Sequence, residues 1–309
     1  MHKITKPGIY RDFPVADYFA DPCPEPSLTQ SLAKILIEQS PLHAFQAHPR
    51  LNVPSADEDD GDKYDKAKAI GNAAHALMLG RGKALAVEDF PDFRSKDAKA
   101  FKAAAIEAGK EPILQKHHEI ALQMVVRAHE QLAHIKDCTH IGDPIQGDAE
   151  VVIANCEDGL WLRSMIDWIT CDLRDVVDFK TSGQSVSPYA TGKLMASAGW
   201  HIQAAMHERI LDEIDPDGAG RRRFLYVAQE QYEPFALTVN QIGEAALTFG
   251  RKQLSYAVDI WRNCVERDRW PAYPPRIIIP ELPGWHGNNW LAREEIEAEQ
   301  HDPRLIMAG

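Results

Sequence analysis

In the N-terminal part of the chain the apolar positions recur every three or four residues, which is the spacing of amphipathic helices. The stretch SLTQSLAKILIEQSPLHAFQAHP predicts a helix with Ser27 or Thr29 as its N-cap and a stop at Pro41. AKAIGNAAHALML predicts a second helix, ended by the glycines that follow it. SKDAKAFKAAAIEAGK and ILQKHHEIALQMVVRAHEQLAHI predict two more. The acidic segment SADEDDGDKYDK, between the first two helices, predicts a mobile loop.

Near residue 148 the pattern changes to the alternation of strands. AEVVIAN and LWLRSMIDWITC flank the turn CEDG and predict a β-hairpin, and RDVVDFKT predicts a third strand. A Ser/Gly/Pro loop and the helix AGWHIQAAMHERILDEI follow. RFLYVAQE and PFALTV then predict a second strand pair before the long helix QIGEAALTFGRKQLSYAVDIWRNCVER. This order predicts an α/β (α+β) fold with a mixed central sheet flanked by helices.

The same patterns divide the chain into three parts. Residues 1–64 are expected to be a helical segment and acidic loop that pack on the core domain of residues 65–270. Residues 271–309, rich in Pro and Trp, are expected to form an irregular tail. A domain boundary near residue 140 is the alternative.

Composition narrows the class of protein. No apolar run approaches the roughly 20 residues of a membrane span, and the first residues lack the apolar region of a signal peptide. The five cysteines are scattered without CxxC spacing, which favours a reducing compartment and a cytoplasmic location. The net charge of −12 has the wrong sign for a general nucleic-acid coat. A DNA-directed function must therefore rest on a local site.

The stretch VVDFKT places charge inside an apolar strand. Asp178 and Lys180 alternate along it and so share one face, while Asp167 ends the core run of the preceding strand. Asp178 and Lys180 alone fit either a structural ion pair or a metal ligand beside a catalytic cation. Two carboxylates on neighbouring strands repel each other unless a cation lies between them, and Mg²⁺ is commonly bound this way. Lys180 would then orient or deprotonate the attacking water, or stabilise a charged transition state.

Asp167, the Asp178-Phe179-Lys180 triplet and Gln203 on the next helix together resemble the PD-(D/E)XK nuclease superfamily, which has an α-β-β-β-α-β core. GNAAHALMLG, which contains His75, and the Ser27–Phe45 segment are similar to the RecE-type (exonuclease VIII) branch. The resemblance implies metal binding by Asp167, Asp178, the Phe179 carbonyl and His75. It also implies that Lys180 handles the attacking water and that Gln203 fixes the geometry of Lys180 or of a phosphate.

One position departs from that branch, which usually has Q-x-x-x-Y on the helix after the motif. Here His207 stands in place of the tyrosine, four residues after Gln203, and a phosphate contact is the role expected for it. The basic cluster Arg221, Arg222 and Arg223 is a second candidate for contact with a DNA backbone, and a basic surface loop is the alternative. Glu150 is interpreted as a solvated strand end, with an extra acid near the metals as the alternative.

The resemblance implies a Mg²⁺-dependent DNA exonuclease, with Mn²⁺ as a substitute, acting 5′→3′ on double-stranded ends. Its product would be single strands for phage-type recombination, made by a ring-like homo-oligomer that works with a single-strand annealing protein. An endonuclease or structure-specific nuclease on the same core is one alternative. A non-catalytic DNA-binding protein that keeps the fold is the other.

Overall fold

The structure is a computed structural model that describes residues 2–52 and 64–300. The chain divides into two units, Met1–Ala272 and Tyr273–Gly309. Most of the acidic segment expected to be a mobile loop lies outside the described residues. Across the described ranges, none of the helices is long and apolar enough to cross a membrane.

Eight strands are present in the described residues. In chain order they are β1 Gly8–Tyr10, β2 Leu85–Glu88, β3 Glu111–Leu114, β4 Gly147–Glu157, β5 Leu160–Thr170, β6 Asp175–Ser182, β7 Arg223–Glu230 and β8 Leu237–Gln241. Six of them form one sheet in the order β1-β4-β5-β6-β7-β8, and β2 and β3 form a separate parallel pair. In the large sheet β6 and β7 are parallel and the other neighbours are antiparallel. The sheet is therefore mixed, as the sequence predicts.

The helices cover both faces of the large sheet. Those of the first unit are α1 Val15–Phe19, α2 Gln30–Glu38, α3 Pro41–Ala47, α4 Lys66–Leu79, α5 Lys96–Glu107, α6 Gln115–Leu132, α7 Pro188–Ala198, α8 Trp200–Ile214 and α9 Glu244–Arg267. One apolar cluster packs α2, α8 and α9 on one face of the sheet. A second packs α4 and α6 on the other face, against Trp168, Val177 and Phe179. Because neighbouring strand residues face opposite sides, the two clusters hold alternate residues of β6.

Local signals explain where several elements begin and end. Thr29 caps α2 by accepting a hydrogen bond from the backbone N–H of Leu32. The β4–β5 hairpin turns at Asp158 and Gly159, both in the left-handed backbone region. This two-residue turn matches the twist of the strands it joins, so it fixes the register of the hairpin. The Asp-Gly signal in the sequence is confirmed as a turn.

Two parts of the chain differ from expectation. The Ser/Gly/Pro loop after the third strand contains helix α7. The second unit, expected to be irregular, contains helix α10, Gly284–Gln300. This helix starts one residue after Pro283 and carries a side-chain pair four residues apart, Arg293 with Glu297. The five prolines between residues 271 and 283 therefore precede the helix and do not interrupt it.

Candidate active site

Helix α4 carries His75 and lies unusually close to strand β6. Its N-terminus is capped by Asp65, and it ends at Gly80, whose φ is 62°. A Cβ atom on Gly71 would lie 2.7 Å from Oγ1 of Thr181 on β6. Only a residue without a side chain fits this close approach. Gly71 therefore fixes the distance at which α4 presents His75 to the end of the sheet.

Asp167 is held where β5 and β6 separate. The two strands pair at Trp168–Val177 and Ile169–Val176. At the next position Oδ2 of the Asp167 carboxylate accepts a hydrogen bond of 2.7 Å from the backbone N–H of Phe179. Oδ1 of Asp167 lies 3.1 Å from Nε2 of His75. Asp167 therefore joins α4 to β6.

Asp178 is contacted from the face of the sheet that α8 covers, which is opposite the face covered by α4. It is buried, with its Oδ2 accepting a hydrogen bond from Nε2 of Gln203 on α8. Its Oδ1 is in an ion pair with the ammonium of Lys180. The structure thus brings His75, Asp167, Asp178, Phe179, Lys180 and Gln203 to one place. Helix α4 supplies the site from one face and α8 from the other.

The charges of these groups determine one another. Burial and the nearby charge of Asp167 raise the pKa of Asp178 above the ordinary aspartate value, against the opposing effect of Lys180. Burial also acts to raise the pKa of Asp167, but His75, Lys180 and the Phe179 N–H outweigh it and lower that pKa. The pKa of Lys180 is raised, because the two aspartates outweigh its burial. The site therefore places the ammonium group of Lys180 beside Asp178, whose carboxyl group ionises less readily than that of an ordinary aspartate.

An open cleft of about 980 Å³ gives access to these residues. Asp167, Phe179 and Lys180 line its floor, and His75 lines one wall. The cleft is also lined by Glu150, and by Phe19, Lys68 and Lys83, which the sequence did not indicate as site residues. The cleft therefore presents Asp167, Glu150 and Lys180 together, with two further lysines and an aromatic ring around them.

Glu150 corrects the expectation of a solvated strand end. The β4–β5 register pairs Ala149 with Trp168 and Val151 with Ile166, which places Glu150 opposite Asp167. Its φ of 52° puts the backbone in the left-handed region, which costs about 1–3 kcal/mol for a residue other than glycine. Burial raises the pKa of its carboxyl. Glu150 is therefore an additional acid on the cleft, beside Asp167.

The donor set fits a hard divalent cation. Two carboxylates and a backbone carbonyl are oxygen ligands of the kind such ions prefer. Oδ1 of Asp178 is buried and is in an ion pair with the Lys180 ammonium, so it already binds one cationic group. Among the described residues, no three His, Cys, Asp or Glu side chains converge with metal-site geometry. The fit therefore depends on Asp167 and Asp178, completed by the Phe179 carbonyl and His75.

His207 does not contact the cleft, and the expected phosphate contact is wrong for this geometry. Its ring is buried, with Nε2 2.9 Å from Oγ of Ser164 on β5. Burial lowers the pKa of His207 to about 3, so the ring is neutral. The spacing of four from Gln203 does put both residues on the sheet-facing side of α8. That side is enclosed by the sheet at His207, and the residue therefore packs in the interior.

The arginine cluster serves mainly in structural ion pairs. The side chain of Arg222 is 2% exposed and binds the carboxylates of Asp212 and Asp215 at the end of α8. Arg223 pairs with Asp175, at the end of β6 remote from Lys180. Arg221 is exposed. The predicted DNA contact is therefore not supported for Arg222 and Arg223, because their cationic groups are already paired.

Asp167 on β5, Asp178 and Lys180 on β6 and His75 on α4 have the arrangement that the resemblance to PD-(D/E)XK nucleases predicts. A family model described as a PDDEXK-like domain of unknown function (DUF3799) matches residues 40–277, and the chain belongs to this family. The fold is similar to a crystal structure from Eubacterium rectale that is provisionally named an exonuclease. The TM-score is 0.54 at 11% identity, over 84% of this chain and 91% of that one. No curated protein matches the sequence.

The predicted superfamily and fold class are thus confirmed. The family model supports a nuclease, and the structural neighbour shows the fold. Nucleases of the PDDEXK type generally use divalent metal ions, in agreement with the donor set of this cleft.

Proposed function

We propose that this protein is a Mg²⁺-dependent deoxyribonuclease that degrades double-stranded DNA from its ends in the 5′→3′ direction. The observation that carries the proposal is that His75, Asp167 and Lys180 line one open cleft, with the buried Asp178 in an ion pair with Lys180. The resemblance of the motifs to RecE-type exonucleases supports the choice of exonuclease. The neighbour from Eubacterium rectale, with its provisional exonuclease name, agrees with it.

In the proposed reaction water adds to the phosphorus of a phosphodiester and releases a proton to solvent, one P–O ester bond breaks, and the leaving oxygen takes up a proton from solvent. Asp167, Asp178, the Phe179 carbonyl and His75 would hold the divalent ion, which supplies Lewis-acid activation of water and phosphate. Lys180 contacts Asp178 in an ion pair and lines the cleft beside Asp167. From this position it would orient the attacking water or stabilise negative charge on the phosphate.

Gln203 has a positioning role in this scheme. Its amide donates to Oδ2 of Asp178 from α8, so it fixes the rotamer of the carboxylate that also contacts Lys180. The Phe179 N–H holds Asp167 in the same way from β6. Each metal-binding carboxylate is thus oriented by a fixed donor, which is the support that ligating groups require.

The wider setting is part of the proposal. We expect a cytoplasmic enzyme of phage or prophage origin that makes single strands for an annealing protein. A homo-oligomeric ring would enclose the DNA and would reconcile DNA binding with a net charge of −12. Lys68 and Lys83 on the cleft are the local cations that this arrangement needs.

The test compares end-labelled linear duplex with closed circular DNA of the same sequence, in Mg²⁺ and in EDTA. The proposal predicts that linear DNA is degraded, circles survive, and EDTA or Asp178→Asn stops the reaction. Degradation of 5′-protected against 3′-protected linear DNA assigns the polarity. Cleavage of circles would instead indicate an endonuclease on the same core. DNA binding without any cleavage, and without Mn²⁺ binding in calorimetry, would indicate a non-catalytic scaffold.

A further inference from the structure

Phe19 is an exposed aromatic residue at the edge of the active-site cleft. It ends the short helix α1 and lines the same cleft as Asp167 and Lys180, yet its side chain is 65% exposed. A phenylalanine gains stability from burial, and here most of that gain is absent. An exposed ring beside a polar, cation-lined floor is the arrangement with which proteins stack on nucleobases.

The chain on both sides of Phe19 is tied to strand β5. Tyr18 is buried, with the guanidinium carbon of Arg163 4.6 Å from its ring centroid. Asp21, also buried, accepts hydrogen bonds from Oγ of Ser27 at 2.6 Å and from Nε of Arg163 at 3.2 Å. Phe19 therefore lies between two attachments to the same arginine. Its ring is presented by a fixed backbone, which reduces the entropy that a bound base would have to overcome.

The distance along β5 from Arg163 to Asp167 matches the length of a short run of nucleotides. Arg163 and Asp167 are four residues apart on one face of β5, or about 13 Å at the usual rise per strand residue. A DNA strand in a duplex rises about 3.4 Å per nucleotide. The attachment of the Phe19 segment to β5 is thus separated from Asp167 by the length of a few nucleotides. Lys68 and Lys83, which have no ion-pair partner among the described residues, are available on the cleft for the phosphates between them.

We infer that Phe19 is a substrate-binding residue that stacks on a nucleobase of the strand entering the cleft, a few nucleotides from the bond that is cut. The inference rests on the proposed nuclease function and extends it. It identifies the ligand at this part of the cleft as an unpaired base, because a base within a duplex has both faces covered by its neighbours. The enzyme would therefore hold one strand of the end locally separated from its complement.

The first experiment measures binding of a fluorescein-labelled single-stranded oligonucleotide by anisotropy, in EDTA and at one ionic strength. Phe19→Ala should weaken binding roughly 5- to 150-fold, the range for losing one stacked base, and Phe19→Trp should restore it. Phe249→Ala is the matched control, because Phe249 is similarly exposed at 61% but lies on α9 and does not line the cleft. Equal affinity for wild type and Phe19→Ala would overturn the inference.

The second experiment places one abasic nucleotide at successive positions of the oligonucleotide. For the wild type, one position near the cut end should weaken binding by about the same factor as Phe19→Ala. Phe19→Ala should bind the same abasic strand as tightly as it binds the intact strand, because its stacking partner is already absent. Independent, additive losses would overturn the inference. If the wild type cuts DNA and Phe19→Ala binds DNA as the wild type does in both experiments, the stacking inference is wrong and the nuclease proposal stands. A wild type that neither binds nor cuts DNA overturns both.

Discussion

The backbone N–H of Phe179 donates a hydrogen bond of 2.7 Å to the side chain of Asp167. This bond takes the place of a backbone pairing at the point where β5 and β6 diverge. In a strand the N–H and C=O of one residue point toward the same neighbour. The Phe179 carbonyl therefore faces the gap next to Asp167, where the sequence resemblance places a metal ligand. One hydrogen bond thus orients both a carboxylate and a carbonyl toward the same space.

Asp167→Asn and Asp167→Ala should separate the charge of this residue from its structural role. The asparagine carbonyl can still accept the hydrogen bond from Phe179, so Asp167→Asn should melt close to the wild type. Asp167→Ala leaves a buried N–H without a partner and should cost an additional 1–3 kcal/mol or so of unfolding free energy. Both variants lose the carboxylate and should lose Mn²⁺ binding in calorimetry. Full metal binding by Asp167→Asn would place the metal elsewhere.

The β4–β5 hairpin shows how far the sequence determines this site. The Asp158-Gly159 turn could be predicted, and a two-residue turn fixes the register of the whole hairpin. Counting back equally along both strands pairs Glu150 with Asp167. The local pattern around Glu150 suggests exposure, and only its cross-strand partner reveals the site. Glu150 was therefore predictable from register, although not from the composition of its own strand.

His207, Arg222 and Phe19 could not be placed in this way. The partner of His207 is Ser164, 43 residues away on β5, and helix periodicity does not indicate what covers a given face. Arg222 sits in a basic cluster, but the acids that neutralise it are on the preceding helix and its exit. Helix α1 has five residues, too few for propensity to predict it, and is held by tertiary contacts of Tyr18 and Asp21.

Lys180→Met should distinguish a catalytic cation from a structural ion pair. Breaking a purely structural buried pair costs roughly 3–5 kcal/mol, because Asp178 is left without a counter-charge. With Mg²⁺ bound, the ion neutralises Asp178, and the variant should melt near the wild type. In EDTA the same variant should melt distinctly lower. Cleavage should fall at least about 100-fold, with DNA binding retained. Early melting in Mg²⁺ together with a normal cleavage rate would reject the nuclease assignment.

His75→Ala should weaken metal binding with little effect on folding. The His75 side chain is 30% exposed and its ring contacts Asp167, so its removal opens little apolar volume. We expect a reduced affinity for Mn²⁺ in calorimetry, lower activity at limiting Mg²⁺ and a melting temperature close to the wild type. His134→Ala, at an exposed position, is the control. A large drop in stability with normal activity at saturating Mg²⁺ would make His75 a structural histidine.

Arg222→Ala and Arg221→Ala should differ in their effect on the stability of the protein. Arg222 is enclosed and bound to Asp212 and Asp215, so its loss should cost roughly 1.5–3 kcal/mol, the range for a hydrogen bond to a charged group. The DNA affinity of the Arg222→Ala variant, per folded molecule, should be unchanged. Arg221 is exposed, and its removal should leave the melting temperature unaltered. Chemical denaturation and DNA anisotropy on both variants check this. A loss of DNA affinity in Arg222→Ala at full stability would restore the contact predicted from sequence.

The acid stability of the protein should depend on His207. The pKa of this buried histidine is lowered to about 3, whereas an unfolded histidine titrates near 6.5. Between these two values the unfolded chain binds the proton more readily, so the free energy of unfolding falls as the pH drops from about 6.5 toward 3. The slope from one such group is at most about 1.4 kcal/mol per pH unit. Above pH 6.5 or so His207 contributes no pH dependence.

His207→Gln removes the titrating group and keeps a hydrogen-bonding side chain next to Ser164. Its unfolding free energy, measured by urea denaturation across this range, should depend less steeply on pH than that of the wild type. His134→Gln, the same substitution at an exposed position, serves as the control. At neutral pH His207→Gln should cut and bind DNA at the wild-type level per folded molecule. An unchanged slope together with a loss of DNA binding would show that His207 reaches the phosphate after all, as its position in the motif suggested.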